Sequence, residues 1–285
     1  MHVIENTQLQ RLAPSIFATA PYAEVSDRYT FIPTIRVLDA MRDAGFYPVE
    51  ARQSICRVPG KVDFAKHMVK FMRAQDIEAM NAQKIARPGQ HHFFERHGEV
   101  APEFPQIALV NSHDATSGYQ LLAGLLRLAC SNGLLIASSS LDCIRVRHSG
   151  NIAEQVIEGS FKIIEQMPQV AEQVGTMKAI TLDAGEQHAF AAAAMHLRYE
   201  ANEQGAVVAP FEPDRLLQVR RVEDKPATLW NTLNVVQENF VKGGLRGVSA
   251  TGRRTRTRAI NSVTEDIKLN KALWALAESM KTLKA

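Results

Sequence analysis

The sequence predicts an α+β fold in which a β-hairpin and a third strand pack on a long helix, followed by a mostly helical C-terminal half. Residues 46–58 and 61–73 alternate between apolar and polar side chains around a Pro-Gly turn, which is typical of a hairpin. Residues 104–111 form a compact apolar stretch typical of a third strand. From residue 151 onward, apolar residues recur every three or four positions, which indicates helices.

These patterns predict three segments. Residues 1–30 are irregular and contain two prolines, so we expect an N-terminal arm or extended segment. Residues 31–150 hold the α+β core. Residues 151–285 form a helical C-terminal region that includes a basic segment rich in glycine and arginine at 242–258. The 285 residues are 46% hydrophobic and 22% charged, as expected of a folded protein with a sizeable core.

The first helix of the core is predicted to begin at Pro33, whose fixed φ suits a first turn, and to end at Gly45. The second arm of the hairpin, residues 61–73, also fits a helix with its larger apolar residues turned inward, and both interpretations stay open. Residues 74–104 are predicted to be a long, polar, partly helical excursion. A segment of this length without regular structure is usually functional or disordered.

A long helix is predicted to follow the third strand, from about Tyr119 to a C-cap at Gly133, because apolar residues recur there at helical spacing. A short strand is expected at 141–148. In the C-terminal half, helices are predicted at 151–174, 181–204, 212–219, 227–240 and 262–283. The last of these is the clearest, since Ser262 is a typical N-cap and Glu265 occupies the capping-box position.

The number of cysteines and the length of the apolar stretches indicate in which cellular compartment the protein works. Cys56, Cys130 and Cys143 are odd in number and irregular in spacing, so no disulfide framework is implied and a cytoplasmic location is expected. The N-terminus lacks the pattern of a signal peptide. The longest apolar stretches are interrupted within 18 residues, so we expect no membrane span.

Ser112, His113 and Asp114 are the residue types of a hydrolase triad, but they are adjacent in the chain. Triad side chains converge from separate parts of a fold, and no GxSxG elbow is present. We therefore expect Asp114, Thr116 or Ser117 to cap the following helix instead. Because the histidines and cysteines show no metal-ligand spacing, neither a metal nor another cofactor is expected.

The net charge is only +3, yet six basic residues and no acid occur between positions 242 and 258. Glycines expose backbone N–H groups, and guanidinium forks match phosphate oxygens, so this composition favours a polyanion such as nucleic acid. The segment does not match GxxxxGK[ST], which argues against nucleotide hydrolysis. A solvated surface loop is the alternative. The candidate residues are Lys242, Arg246, Arg253, Arg254, Arg256 and Arg258.

Further basic residues are predicted on the hairpin and on the long helix. If the hairpin has the expected register, several of them lie on one sheet face, where they could track a nucleic-acid strand. An ordinary solvated sheet face is the alternative. The weaker candidates chosen from this set are Arg52, Lys66, Lys70 and Arg127.

A family resemblance is carried by four stretches: GFYPVEARQS, FAKHMVKF, VNSHDATSGYQLLAGLLRLACSNGL and GRRTRTRAINSVTEDIKLNKALWALAE. They resemble the prophage- and plasmid-encoded proteins typified by YfjQ and YafZ, which share domain of unknown function number nine-hundred-thirty-two. The resemblance runs from about Phe31 to the C-terminus. It implies a mobile-element context and brings no settled activity.

The predicted order of a helix, three strands and a long helix bearing Gly124, Arg127 and Gly133 is similar to the core of single-strand annealing proteins such as Red-beta, RecT and Erf. That similarity implies a ring or filament with single-stranded DNA in a basic groove. It concerns architecture only. The basic segments do not align residue by residue, and the 74–104 excursion has no clear counterpart.

The leading hypothesis is a non-enzymatic mobile-element protein that binds single-stranded DNA and promotes annealing and recombination as a homo-oligomer, with host or phage recombination or replication proteins as possible further partners. The runner-up is an anti-defence or protein-interaction factor that binds a host protein through the basic segment. A third hypothesis is a metal-dependent nuclease using Asp114, His113 and the pair His91 and His92. Clustered carboxylates for Mg²⁺ would be expected for that activity, and the sequence offers none.

Overall fold

The computed structural model of the chain describes residues 1–26, 29–86, 103–127, 133–136, 143–146, 151–204, 207–249 and 251–284. The described residues divide into two units. The first holds those of 1–89, 102–167 and 261–264, and the second holds those of 168–260 and 265–285. The predicted α+β class is confirmed, because the first unit is built on an antiparallel sheet and the C-terminal half is mostly helical.

The sheet of the first unit has six described strands: β1 (Phe46–Gln53), β2 (His67–Arg73), β3 (Glu103–Asn111), β4 (Tyr119–Arg127), β5 (Leu134–Ile136) and β6 (Ile144–Val146). The strands β1 to β4 lie in chain order and all pairings are antiparallel, while β5 and β6 both pair with β4. The predicted hairpin and third strand are therefore confirmed. The helical alternative for residues 61–73 is wrong, since β2 pairs with a strand on each side.

Helices cover this sheet within the first unit. They are α1 (Asn6–Leu12), α2 (Thr34–Asp43), α3 (Ala74–Ala86) and the first part of α4 (Ile152–Ala179). The predicted helix after Pro33 is α2. The excursion at 74–104 begins as α3, and the rest of it up to residue 102, including His91 and His92, lies outside the described residues.

We expected residues 1–30 to be irregular, and the structure differs from that prediction. They form α1 and a 3₁₀ turn at Pro14–Phe17, and Leu9 and Ile16 have no exposed surface. The N–H of Ile4 donates to the carbonyl of Pro48 at 2.8 Å, which covers part of the outer edge of β1. Pro14, one of the two prolines that suggested an irregular segment, is the first residue of the 3₁₀ turn. The N–H of a residue at this position has no partner within the turn, so proline is tolerated there.

The long helix predicted from Tyr119 to Gly133 is wrong, because residues 119–127 form strand β4. Eight of its nine residues are buried, and it pairs with β3 on one side and with β5 and β6 on the other. A strand buried on both faces is apolar at almost every position, so helical spacing can be found within it by chance. The expected strand at 141–148 is present as β6.

The second unit contains the rest of α4, then α5 (Ala184–Met195), α6 (Leu229–Lys242), a hairpin of β7 (Arg246–Val248) and β8 (Arg254–Arg256), and most of α7 (Val263–Leu283). The helix predicted at 181–204 is shorter than expected, and the segment at 212–219 is a 3₁₀ turn, Pro213–Leu217. Trp230 of α6 meets Trp274 of α7 edge-on, with ring centroids 6.4 Å apart, in the core.

A buried polar cluster joins α2 to the sheet of the first unit. The hydroxyl of Thr34 lies 2.9 Å from Nε2 of His67 and 3.0 Å from Nε2 of His113, and it accepts a hydrogen bond from Asn111 at 3.1 Å. Nδ1 of His67 lies 3.1 Å from the carbonyl oxygen of Ala65, which can only accept. The hydroxyl of Ser15 lies 2.8 Å from the same nitrogen, so each ring nitrogen of His67 has a hydroxyl partner and the neutral ring is satisfied in either tautomer.

Burial, reinforced by the neighbouring His113, lowers the pKa of His67 to about 3. We expect the free energy of unfolding of the first unit to fall as the pH drops from 6.5 toward 3, because unfolded His67 takes up a proton in this window and folded His67 does not. One such group contributes at most about 1.4 kcal/mol per pH unit. Denaturant unfolding followed between about pH 4 and about pH 7 measures this slope.

The variant His67→Gln should be less stable than the wild type. Its free energy of unfolding should also depend less steeply on pH, because glutamine does not titrate. The same change at His196, which is exposed, is the matched control for replacing an imidazole by an amide. Equal slopes for the wild type and His67→Gln would contradict a neutral, buried His67.

Candidate nucleic-acid interface

The basic segment folds into the hairpin of β7 and β8 in the second unit. Arg246 lies opposite Arg256, and Val248 lies opposite Arg254. Because alternate residues of a strand share a face, the side chains of these four residues lie on one face of the hairpin. All four are exposed, Val248 to 55%. The hairpin therefore presents three arginines and one valine on a single face.

This face lines a groove of about 710 Å³, to which the turn Pro213–Leu217 adds Arg215. We call it the arginine groove and define it by Arg215, Arg246, Arg254 and Arg256. The other described residues that line it are Gly247, Val248 and Thr255, so none of the described lining residues is acidic.

The charges of the arginine groove are arranged unfavourably for the protein alone. Arg246 and Arg256 are directly opposite each other, and like charges at such positions destabilise an antiparallel pair. An anion between them would replace repulsion with charge-assisted hydrogen bonds, which are among the strongest that proteins make. The geometry therefore suits a ligand with several negative charges.

Close packing of the hairpin against the main chain at Pro210 holds this face outward. The N–H of Val248 donates to the carbonyl of Pro210 at 2.6 Å. A Cβ atom on Gly247 would lie 2.0 Å from the same carbonyl oxygen, a distance that no side chain can occupy. Glycine is thus required at position 247, because only hydrogen leaves room for the hairpin to approach.

The remaining predicted residues of the basic segment do not line the groove. Arg253 and Arg258 flank β8 and are exposed. Lys242 ends α6, and its ammonium lies 2.6 Å from a carboxylate oxygen of Glu238, whose side chain is buried. The charge of Lys242 is therefore partly neutralised by Glu238 of the same helix. The carbonyl of Arg258 accepts a hydrogen bond from Arg198 at 2.8 Å.

The four weaker candidates all belong to the first unit: Arg52, Lys66, Lys70 and Arg127. The register of β1 and β2 places Arg52 and Lys70 on one face of the sheet, as expected for the predicted hairpin. Lys70 is only 3% exposed and lies 2.9 Å from Glu50, and Arg127 is only 5% exposed at the end of β4. Lys66 is half-buried and donates to the hydroxyl of Thr264 at 3.0 Å. None of these four lines the arginine groove.

Sequence reasoning missed Arg215. It lies in a different part of the chain from the basic segment and has no other arginine within four residues on either side. No periodicity or motif marks it, and only the packing of the 3₁₀ turn beside the hairpin brings it to the groove.

The Ser-His-Asp run lies in the connection between β3 and β4. Asp114 accepts hydrogen bonds from the N–H and the hydroxyl of Thr116 at 3.1 and 2.6 Å, and Ser112 donates to the carbonyl of Ser117 at 3.1 Å. His113 bonds to Thr34 in the buried cluster. Asp114 therefore stabilises a turn between two strands, and the predicted helix cap is wrong because no helix follows.

The pKa of Asp114 reflects the same contacts. Burial acts to raise it, but hydrogen bonds from Thr116 and Ser112, together with the positive charge of Lys61, lower it below its ordinary value. Lys61 lies 3.6 Å from the carboxylate. The charged form of Asp114 is thus held in place as part of the connection.

Among the described residues, no three His, Cys, Asp or Glu side chains come together in a group that could hold a metal ion. In the same part of the chain, no helix has both the length and the apolar character that crossing a bilayer needs. Cys130, His91, His92 and His97 lie outside the described residues.

We expect Gly247→Ala to destabilise the second unit by about 2 kcal/mol, because the added methyl group must push the hairpin away from Pro210. Denaturant unfolding measures the change. Gly175→Ala in α4 is the matched control, since a Cβ there meets nothing within 4 Å and alanine is the better helix former. Equal stability of Gly247→Ala and the wild type would contradict the close packing described above.

Comparison with known proteins identifies the family. The family model described as "Domain of unknown function (DUF932)" matches residues 21–274. The chain is 36% identical over 275 residues to UPF0380 protein YafZ of Escherichia coli (strain K12), covering 96% of this chain and 90% of that protein. UPF0380 protein YfjQ of the same organism shows the same identity and coverage. No solved structure gives a significant match. The family resemblance predicted from the sequence is thus confirmed, and the chain belongs to the DUF932 family.

Proposed function

We propose that this protein binds single-stranded DNA through the arginine groove. One observation carries the proposal: four exposed arginines from two separate segments line one groove, and none of its described lining residues is acidic. Each guanidinium can donate two parallel hydrogen bonds to phosphate oxygens. Phosphate contacts of this kind supply most of the affinity in sequence-independent binding of nucleic acid.

The arrangement favours a single phosphate backbone. Arg254 and Arg256 are alternate residues of one strand, so their Cα atoms are about 6.7 Å apart along β8. Arg246 faces them from β7, and Arg215 lies at the side of the groove. These arginines form one short track, whereas a duplex would present two backbones separated by a groove.

We extend the proposal to annealing by a cytoplasmic homo-oligomer, in the context of recombination in mobile elements. The described lining of the groove contains no aromatic side chain, so it offers phosphate contacts without a surface on which bases stack. Bases of a strand held in this way would remain available to a complementary strand. The element-order similarity to annealing proteins that first suggested this hypothesis included a long helix from Tyr119 to Gly133, and residues 119–127 form strand β4 instead. Annealing is therefore supported only by the groove, and it stays a prediction.

A second candidate function rests on Val248. This residue is 55% exposed in the middle of the basic face, where a purely phosphate-binding surface has no use for an apolar side chain. A basic surface with an apolar centre also fits an acidic protein partner, as an anti-defence factor that binds a host protein would require. Capture of one stoichiometric host protein that survives nuclease treatment would favour this function.

Salt dependence tests the phosphate contacts directly. If all four arginines neutralise phosphates, a plot of the logarithm of the affinity for a single-stranded oligonucleotide against the logarithm of the salt concentration should have a slope of about −2.8. Each of Arg215→Ala, Arg246→Ala, Arg254→Ala and Arg256→Ala should reduce the slope by about 0.7. Fluorescence anisotropy at several salt concentrations measures this.

Lys225→Ala is the matched control, because Lys225 is an exposed cation of the same unit that does not line the groove. It should leave the slope unchanged. The absence of oligonucleotide binding at low salt would refute the proposal. Equal slopes for the control and the four groove variants would show that nucleic acid binds elsewhere.

Annealing and assembly need a separate experiment. We expect the protein to speed the pairing of two complementary oligonucleotides labelled with a fluorophore and a quencher, and the triple variant Arg246→Ala, Arg254→Ala, Arg256→Ala to lose that acceleration. Electron microscopy with single-stranded DNA should show rings or filaments. DNA binding without acceleration or assembly would remove annealing from the proposal and leave DNA binding in place.

A further inference from the structure

The hydrogen bonds of the hairpin define what the outer edge of β8 presents. The N–H of Ser249 donates to the carbonyl of Arg253 at 2.9 Å, and the N–H of Thr257 donates to the carbonyl of Leu245 at 3.0 Å. Hydrogen-bonded pairs alternate with non-hydrogen-bonded pairs along an antiparallel ladder. The N–H and C=O groups of Arg254 and Arg256 therefore point away from β7.

This outer edge is open in the described part of the chain. No main-chain hydrogen bond there joins Arg254 or Arg256 to any element outside the hairpin. The outer edge of β7 differs, because the N–H of Val248 is bonded to Pro210. The hairpin thus has one edge attached to its own unit and one edge exposed beside the arginine groove.

The chemistry of the open edge matches a peptide better than a phosphate. N–H donors alternate with C=O acceptors along it, and the carbonyl oxygens would repel phosphate oxygens. Another extended chain can satisfy both kinds of group, which is how peptides add a strand to an exposed sheet edge. The main-chain groups of the outer edge of β8 therefore suit an extended peptide.

The side chains indicate which peptide fits. A residue paired directly with Arg254 or Arg256 would carry its side chain on the same face as the guanidinium groups. Carboxylates at alternate positions of the peptide would then lie beside the two arginines. Charges on edge strands normally discourage pairing with other chains, and a pair of arginines discourages every strand except an acidic one.

We propose that the outer edge of β8 binds an extended acidic peptide of a partner protein as a third strand, with carboxylates at alternate positions paired with Arg254 and Arg256. This interaction goes beyond DNA binding and does not depend on it. A second copy of this chain is a poor occupant, because antiparallel pairing of β8 with β8 would bring arginines of the two copies together.

The test uses the 285-residue chain and a probe, acetyl-Glu-Thr-Glu-Thr-Glu-Thr-Glu-amide, that carries a fluorophore at its C-terminal end. Two isomers with equal charge separate main-chain pairing from electrostatics. In one, three glutamates are N-methylated, which blocks the N–H groups that face β8. In the other, the three threonines are N-methylated, and their methyl groups point away from β8. We expect the first isomer to bind about tenfold more weakly than the second, because several hydrogen bonds are lost.

Protein variants give an independent comparison. Arg254→Ala and Arg254→Pro remove the same charge, but only proline removes the outward N–H, and proline is tolerated where that N–H faces solvent. The proline variant should bind the probe several-fold more weakly than the alanine variant, while both bind oligonucleotide equally. Hydrogen exchange should show protection of residues 254–256 by the probe. If Arg254→Pro fails to fold, the two N-methylated isomers still decide the question on the wild-type protein.

Equal affinity of the two isomers would overturn the proposal, because binding would then depend on charge alone. Dimerisation of the protein through β8, detected by sedimentation and competing with the probe, would overturn it in favour of a second copy. Loss of oligonucleotide binding alone would count against the proposed DNA binding and leave the peptide site standing.

Discussion

The main-chain contact between the hairpin and Pro210 is the constraint on which the candidate site depends. It uses the N–H of Val248 and the missing side chain of Gly247, so it places the back of β7 directly on the chain at Pro210. Because the outer edge of β7 and the face that carries Gly247 lie against Pro210, the arginines project from the opposite face of the hairpin. The strand β8 is then the outer strand. The basic face and the open edge are both consequences of one close approach.

Within the second unit, basic side chains have two different uses. Some hold main-chain groups and buried acids, as Arg220 does for the carbonyl of Gly243 and Arg221 for the carboxylate of Glu238. The arginines of the groove instead gather without an acid among the described lining residues. These arginines are exposed, so their charges are hydrated and stability alone does not require a carboxylate partner. Their convergence in one groove without an acid among its described lining residues is the observation that supports the proposed anionic ligand.

The sequence was informative where one physical signal dominated. Alternation around a Pro-Gly turn predicted the β1–β2 hairpin, and the capping residues predicted the C-terminal helix. It misled at β4, where a strand buried on both faces has no polar face to mark its period. Because a helix was predicted where β4 lies, Asp114 was predicted to be a helix cap, and it instead stabilises a turn between two strands. The role of a polar residue after a strand depends on the element that follows it.

By itself, the sequence determined the α+β class, the family, and the concentration of arginines and glycines in one acid-free segment, since these depend on composition and local periodicity. Tertiary structure alone decided that Arg254 and Arg256 share a face with Arg246, that Arg215 joins them, and that Lys70 is buried beside Glu50. The physical reason is that the direction of a side chain follows from strand register and from packing between distant segments, and neither is encoded in local spacing.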